Sequence, residues 1–99
     1  MLNINKTQTD KNLVVALEGR LDTMTAPDLE SQLQAGLDGV EHLAFDLSKL
    51  EYISSAGLRV LLSAQKTMNK QGDMVVKNAT EEVKEIFEVT GFTDILTIE

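Results

Sequence analysis

The chain has 99 residues, of which 42% are apolar and 25% are charged, and its formal net charge is −7. This length is enough for one domain and too short for two, and the composition is typical of globular proteins. The nine lysines and arginines are scattered along the sequence, which argues against binding to nucleic acid or to an anionic membrane surface. There is no cysteine, and this excludes a disulfide scaffold, a thiol nucleophile and a cysteine-ligated metal.

The first residues lack the long apolar stretch of a secretory signal. No apolar run approaches the roughly 18 residues of a membrane-spanning helix. We therefore expect a cytoplasmic protein that does not enter a membrane. Its oligomeric state is not encoded in any motif, and we expect a monomer.

The beginning of the chain is predicted to form a β-hairpin. Residues 2–7 alternate between apolar and polar side chains, as an edge strand does, and residues 9–12 have the composition of a turn. Residues 13–17 are a dense apolar run rich in β-branched side chains, which is typical of a strand buried on both faces. Residues 19–25 are predicted to be a loop.

A first helix is expected after this loop. Thr25 or Ala26 is the candidate N-cap, and Pro27 falls in the first turn, where its missing N–H does no harm. Gly39 is the expected end of the helix. The buried stripe consists of leucines that repeat every four residues, Leu29, Leu33 and Leu37.

The rest of the chain alternates between strands and helices. The pattern predicts strands at 42–47 and 74–77, a connection at 48–53, a helix from about 55 to 69, a helix opened by Thr80 and ended by Gly91, and a short last strand at 95–98. This order predicts a single α/β domain over residues 1–99, with an N-terminal β-hairpin, a mostly parallel or mixed sheet, and helices packed on it.

Two adjacent serines lie where a predicted strand gives way to the second helix. Ser54 is a natural N-cap, and Ser55 would then lie in the first turn, where a partner can reach its hydroxyl and a phosphate is tolerated. In parallel sheets, functional sites gather beyond the carboxyl ends of the strands. The loops 19–25 and 49–55 both follow strands, so we expect Asp22 to lie close to the serines. The alternative is that the serines only cap a helix and that Asp22 only stabilises a loop.

Residues that would make an enzyme are scarce. The single histidine, His42, precedes a strand, and a pair with Ser55 is geometrically doubtful because the two lie at opposite ends of one strand–loop unit. The acidic residues are dispersed, and neither GxxxxGK[ST] nor GxGxxG occurs. We therefore expect no catalytic residues, no metal and no cofactor. Asp46 is expected to bond the following loop, through Ser48, in a structural role.

The segment Asp46–Leu58, which contains Tyr52-Ile53-Ser54-Ser55-Ala56-Gly57-Leu58, resembles the signature of the STAS-domain, anti-sigma factor antagonist family. Three further segments agree with that family, namely Gly19–Asp22, Gly72–Val76 and Ile86–Phe92. The resemblance extends in order over nearly the whole chain. It implies a small α/β domain that is not an enzyme.

The resemblance also implies a mode of regulation. Members like this one bind an anti-sigma factor that is itself a serine kinase. Phosphorylation of a serine in an Asp-Ser-Ser/Thr-Gly motif releases the complex. A PP2C-type phosphatase then restores the active form. By position the phosphoacceptor is Ser55. Ser54 stands in place of the family's Asp and is the second candidate, while Ala56 replaces the second hydroxyl residue and Gly57 matches the glycine.

The resemblance leads to a hypothesis about the partner surface. Asp22 matches the family's loop aspartate, and the expected partner-binding residues are Asp22, Thr23, Ser54, Ser55, Ala56, Gly57, Leu58 and Arg59. The partner need not be an anti-sigma factor, since such modules can serve other outputs. Two alternatives are an unphosphorylated STAS-type scaffold subunit of a larger complex, for instance one serving transport, and a small hydrolase.

Overall fold

The computed structural model describes residues 2–99 and contains one four-stranded mixed sheet. The strands are β1 (Leu2–Thr9), β2 (Asn12–Leu21), β3 (His42–Ile53) and β4 (Asp73–Lys77). They lie in the order β1-β2-β3-β4, with β1 antiparallel to β2 and the other two pairs parallel. The predicted α/β architecture, with an opening hairpin and then alternating strands and helices, is confirmed.

Three helices follow strands β2, β3 and β4 in turn. They are α1 (Ala26–Gly36), α2 (Ser55–Met68) and α3 (Glu81–Thr90). The predicted N-caps Ser54 and Thr80 both accept a hydrogen bond from the backbone N–H three residues on. Gly91 ends α3 with a positive φ of 80°, a backbone conformation that glycine adopts without steric cost. Helix α1 ends at Gly36, ahead of the predicted stop at Gly39.

Burial alternates along β2, so the prediction that residues 13–17 are buried on both faces is wrong. Leu13, Val15 and Leu17 lie in the core, whereas Val14 is 41% exposed. The buried residues of all three helices join the same apolar cluster as these strand residues, so the helices cover one face of the sheet only. A parallel sheet needs apolar residues on both faces only where helices cover both.

Strands β2 and β3 extend further than their apolar runs predict. β2 continues to Leu21 through Gly19, and residues 48–53 belong to β3 instead of forming a connection. The pairing between the two strands shifts register between Ala16 and Glu18 and again between Gly19 and Arg20. Gly19 has φ 106° at this irregularity, which a residue with a side chain rarely adopts. These bulges interrupt the alternation that identifies a strand in sequence.

The predicted last strand at residues 95–98 is reduced to a single bridge. Phe92–Asp94 form a short 3₁₀ turn, and the N–H groups of Ile95 and Leu96 bond back to the Phe92 carbonyl. Leu96 turns into the core, which leaves only Ile98 to pair in parallel with Val76. Within residues 2–99 no helix has the length and apolar character needed to cross a membrane.

Thr80 links α3 to β3, and its loss should destabilise the fold. Its hydroxyl accepts from Val83 N at 3.4 Å and donates to the Leu50 carbonyl at 3.2 Å. We expect Thr80→Ala to lower the free energy of unfolding by about 1–2 kcal/mol, because a cap is lost and a carbonyl loses its donor. Urea denaturation measures this. Thr80→Ser keeps both bonds and should stay close to the wild type; equal loss in both variants would contradict the assignment.

Candidate functional site

The carboxyl ends of β2 and β3 meet at one edge of the sheet and bring the predicted site residues together. Leu21 and Ile53, the last residues of these two parallel strands, are paired. Directly beyond them, Ser54 N donates to the Leu21 carbonyl at 2.8 Å. Asp22 and Ser54 therefore leave the sheet side by side, as the sequence predicts.

The chain after Leu21 is held in a tight loop by the Asp22 side chain. Asp22 Oδ1 accepts from Met24 N at 3.0 Å, from Thr25 N at 3.1 Å and from the Thr25 hydroxyl at 3.2 Å. The Asp22 carbonyl accepts from Ala26 N at 2.8 Å, at the start of α1. Thr25, although it occupies the N-cap position, makes no side-chain cap bond, and its single hydroxyl proton is shared between Asp22 Oδ1 and the Arg20 carbonyl, which lies 2.9 Å away. Thr23 is exposed in this loop.

The pKa of Asp22 is lowered from its ordinary value of 3.8 by this arrangement. Partial desolvation raises the pKa, but the hydrogen bonds from Met24 N, Thr25 N and the Thr25 hydroxyl favour the charged carboxylate and outweigh that effect. The loop is therefore built around an ionised Asp22. Its Oδ1 accepts from two backbone N–H groups, which fixes the position of the carboxylate within the loop.

The two serines have different environments. Ser54 is half-buried, and its hydroxyl accepts from Gly57 N at 3.3 Å as the N-cap of α2. Ser55 is the first residue of α2 and is exposed, and its hydroxyl makes no hydrogen bond with any residue of the range 2–99. Ser54 thus has a structural task in the fold, whereas the Ser55 hydroxyl is accessible to a reagent or a partner.

Two of the predicted partner-binding residues lie in the core. Gly57 is buried and Leu58 is only 4% exposed, so neither forms the outer surface of this end of the molecule, which corrects the expectation that they face a partner. A Cβ on Gly57 would lie 2.7 Å from Leu21 Cγ and 2.9 Å from Ile53 Cγ1. Glycine at this position therefore lets the first turn of α2 pack directly on the strand ends. Ala56 is half-buried and Arg59 is exposed.

Three surface residues at this end of the sheet could not be assigned to the site from the sequence. The Arg20 guanidinium lies over the Tyr52 ring, 4.6 Å from its centroid, in an arrangement that stabilises a cation on an aromatic face. Met24, at the tip of the Asp22 loop, is 85% exposed. The Arg20–Tyr52 contact follows from strand pairing, since the two residues are register partners in β2 and β3. That register could not be read from either segment alone.

Other chemistry-bearing groups lie away from the serines. His42 begins the 12-residue strand β3 and pairs with Asp73 at 3.0 Å. His42 and Ser55 therefore lie at opposite ends of this long strand, so His42 cannot act on Ser55. Asp46 accepts from Ser48 N at 3.0 Å, which confirms its predicted bond to the following segment, and this bond, with smaller help from Asn78, lowers its pKa. No metal-binding cluster of His, Asp or Glu occurs among residues 2–99.

A comparison with family models matches residues 3–99 to the STAS domain. The chain belongs to the STAS domain family. A putative anti-sigma factor antagonist, BtrV, from Bordetella bronchiseptica is 35% identical over 99 residues, which cover 98% of this chain and 85% of that protein. The anti-sigma-B factor antagonist of Staphylococcus aureus is 29% identical, with 98% of this STAS chain and 92% of the relative covered.

Solved structures agree with the family assignment. The crystal structure of an anti-sigma factor antagonist from Mycobacterium paratuberculosis matches this STAS domain with a TM-score of 0.89 and 25% identity, over 99% of this chain and 85% of the other. The structure of the anti-sigma factor antagonist SpoIIAA in its unphosphorylated form matches with a TM-score of 0.85 and 16% identity, over 98% and 88% of the two chains. The second likeness establishes the shared fold only.

Gly57 offers a test of the close contact between α2 and the strand ends. We expect Gly57→Ala to lower the free energy of unfolding by about 1–2 kcal/mol, because overpacking against Leu21 and Ile53 outweighs the gain in helix propensity. Guanidinium denaturation of Gly36→Ala provides the control, since a Cβ there meets only Lys6 Nζ at 3.6 Å. A stabilised Gly57→Ala would show that the first turn of α2 is not tightly packed.

Asp22 should make part of the stability dependent on pH. Because its pKa is lowered in the folded state, it stabilises the protein above its ordinary value of 3.8, and this contribution is lost as the pH falls through the lower folded value. We expect Asp22→Asn to be less stable than the wild type at pH 7, and the difference to shrink on acidification towards pH 3. Thermal unfolding across this range measures it. A difference that is constant with pH would contradict a role for the ionised carboxylate.

Proposed function

We propose that this STAS protein is an anti-sigma factor antagonist that works as a phosphorylation switch. In its unphosphorylated form it binds and sequesters a serine-kinase anti-sigma factor, and phosphorylation of Ser55 releases that partner. The observation that carries the proposal is the exposed, unbonded Ser55 hydroxyl at the start of α2, placed beside the ordered Asp22 loop. The names of the relatives support the antagonist function.

Ser55 is the better phosphoacceptor of the two serines. The Ser54 oxygen accepts a hydrogen bond from Gly57 N and the side chain is half-buried, so modification of Ser54 would remove a helix cap. Such a cap contributes about 1 kcal/mol to stability. The Ser55 hydroxyl can be modified without breaking any hydrogen bond among residues 2–99.

The proposed chemistry belongs to the partner and not to this protein. The kinase transfers the γ-phosphoryl group of ATP to Ser55 Oγ, so that the new O–P bond replaces the bond to the β-phosphate and ADP leaves. The serine proton passes to a base of the kinase, because within the described residues no basic side chain bonds Ser55. A PP2C-type phosphatase hydrolyses the phosphoserine and restores the hydroxyl. This division of roles makes the STAS protein a binding module that acts in the cytoplasm and needs no cofactor.

Release would follow from the charge and size of the phosphate. The modification adds about −1.5 to −2 charge to an exposed surface, while the start of a helix accommodates an anion, so the domain stays folded. A loss of about 3 kcal/mol of binding free energy would weaken the complex roughly a hundredfold. The partner-facing surface in this proposal consists of the exposed or half-buried residues Asp22, Thr23, Ser54, Ser55, Ala56 and Arg59.

Substitutions at Ser55 test the switch with a candidate anti-sigma serine kinase from the same genome. In the presence of ATP, Ser55→Ala should bind constitutively, and Ser55→Asp should bind about a hundredfold more weakly, as measured by titration calorimetry. Ser54→Ala is the matched control and should keep the ATP-dependent release. Equal binding of all variants would contradict the switch.

Mass spectrometry of the protein from its own host gives an independent readout. A single phosphate, mapped to Ser55 and removed by phosphatase, is expected. No phosphate on either serine under any growth condition, together with partner binding that ATP does not affect, would favour an unphosphorylated scaffold subunit of a larger complex.

A further inference from the structure

We propose that Arg59 is the intramolecular partner of a phosphate on Ser55, so that phosphorylation withdraws two groups from the binding surface, the serine hydroxyl and the Arg59 guanidinium. This inference deepens the proposed function and rests on phosphorylation at Ser55. It concerns the surface of the phosphorylated protein. It gives Arg59 a role in the release of the partner in addition to the role of Ser55.

The positions of the two residues bring them together. Ser55 and Arg59 are four residues apart in α2, and both are exposed. Side chains at this spacing lie on the same face of a helix, with about 5–6 Å between their Cβ atoms. A phosphoserine carries its phosphate beyond its Cβ, and the arginine side chain is long and flexible. The guanidinium can therefore reach the phosphate oxygens without any movement of the backbone.

Arg59 is also uncommitted in the unmodified protein. The ion pairs within residues 2–99 join Lys11 with Glu41 and Lys77 with Glu99, and Asp73 lies against His42, so no described carboxylate lies within 4.0 Å of the Arg59 guanidinium. On α2 itself, the positions three and four residues away hold no acid; they are Ser55, Ala56, Leu62 and Ser63. The first strong anion placed next to Arg59 would thus be the phosphate.

The pairing distinguishes Ser55 from Ser54. Four residues after Ser54 comes Leu58, which is buried in the core, so a phosphate on Ser54 has no cation at this spacing. Arginine suits the task because its planar guanidinium can donate two parallel hydrogen bonds to a phosphate. Before phosphorylation the partner meets a free guanidinium and a hydroxyl. After phosphorylation it meets a guanidinium held by a phosphate, and the pair has a net negative charge.

A phosphorus NMR titration of the full chain tests the pairing without any partner protein. Phosphoserine is installed at position 55 during synthesis by amber-codon incorporation, and the second pKa of the phosphate is measured with Arg59 and with Arg59→Gln. A guanidinium at this distance favours the dianion, so the phosphate pKa should be lower by about 0.3 when Arg59 is present. The difference should shrink in 0.5 M salt, which screens exposed charges.

Matched variants separate the specific pair from net charge. Lys66→Gln removes a charge from the exposed side of α2 two turns further on and should leave the phosphate pKa unchanged. Arg59→Lys should retain part of the effect. An identical pKa with Arg59 and with Arg59→Gln would overturn the pairing even if Ser55 proves to be the switch. Conversely, a lowered pKa in a protein that no kinase modifies would leave the pairing intact and refute the proposed function.

Discussion

The hydrogen bond from Ser54 N to the Leu21 carbonyl, at 2.8 Å, is the contact on which the functional end of this domain depends. It continues the parallel pairing of β2 and β3 one residue beyond the sheet, and so it fixes two loops relative to each other at the point where both leave their strands. The Asp22 loop leads into α1 from one side of this bond, and Ser54 opens α2 on the other. Every other feature of the site, including the position of Ser55, is defined relative to this junction.

Much of this arrangement could be predicted because its signals are local. Ser54, Thr80 and Gly91 fix helix ends through bonds to residues within four positions, and such patterns are visible in any one segment. The proximity of Asp22 to the serines follows from a general property of parallel sheets, once two consecutive strands are recognised. The STAS resemblance added the hypothesis that Ser55 is a phosphoacceptor, whereas local physics leaves open whether the two serines cap a helix or form a switch.

What the sequence did not reveal depends on contacts between distant segments. The bulges around Gly19 extend β2 and β3 past their regular alternation, and their register, which joins Arg20 to Tyr52, exists only in the assembled sheet. Val14 is exposed because the helices cover only one face of the sheet. An apolar run has the same sequence whether helices cover one face or both, so the sequence does not reveal this exposure. Leu58 belongs to the family's motif, yet a motif does not say which of its residues are there for packing.

The contact that Gly57 makes with Leu21 and Ile53 has a consequence for the timing of the signal. With no side chain between them, the first turn of α2 and the strand ends pack directly against each other, and this close packing resists a shift of the helix if Ser55 is phosphorylated as we propose. The proposed switch would then need no slow conformational change, and the structure of the domain would not depend on whether it had been phosphorylated earlier. If Ser55 is phosphorylated as we propose, the kinase and the phosphatase alone would set how fast the signal rises and decays.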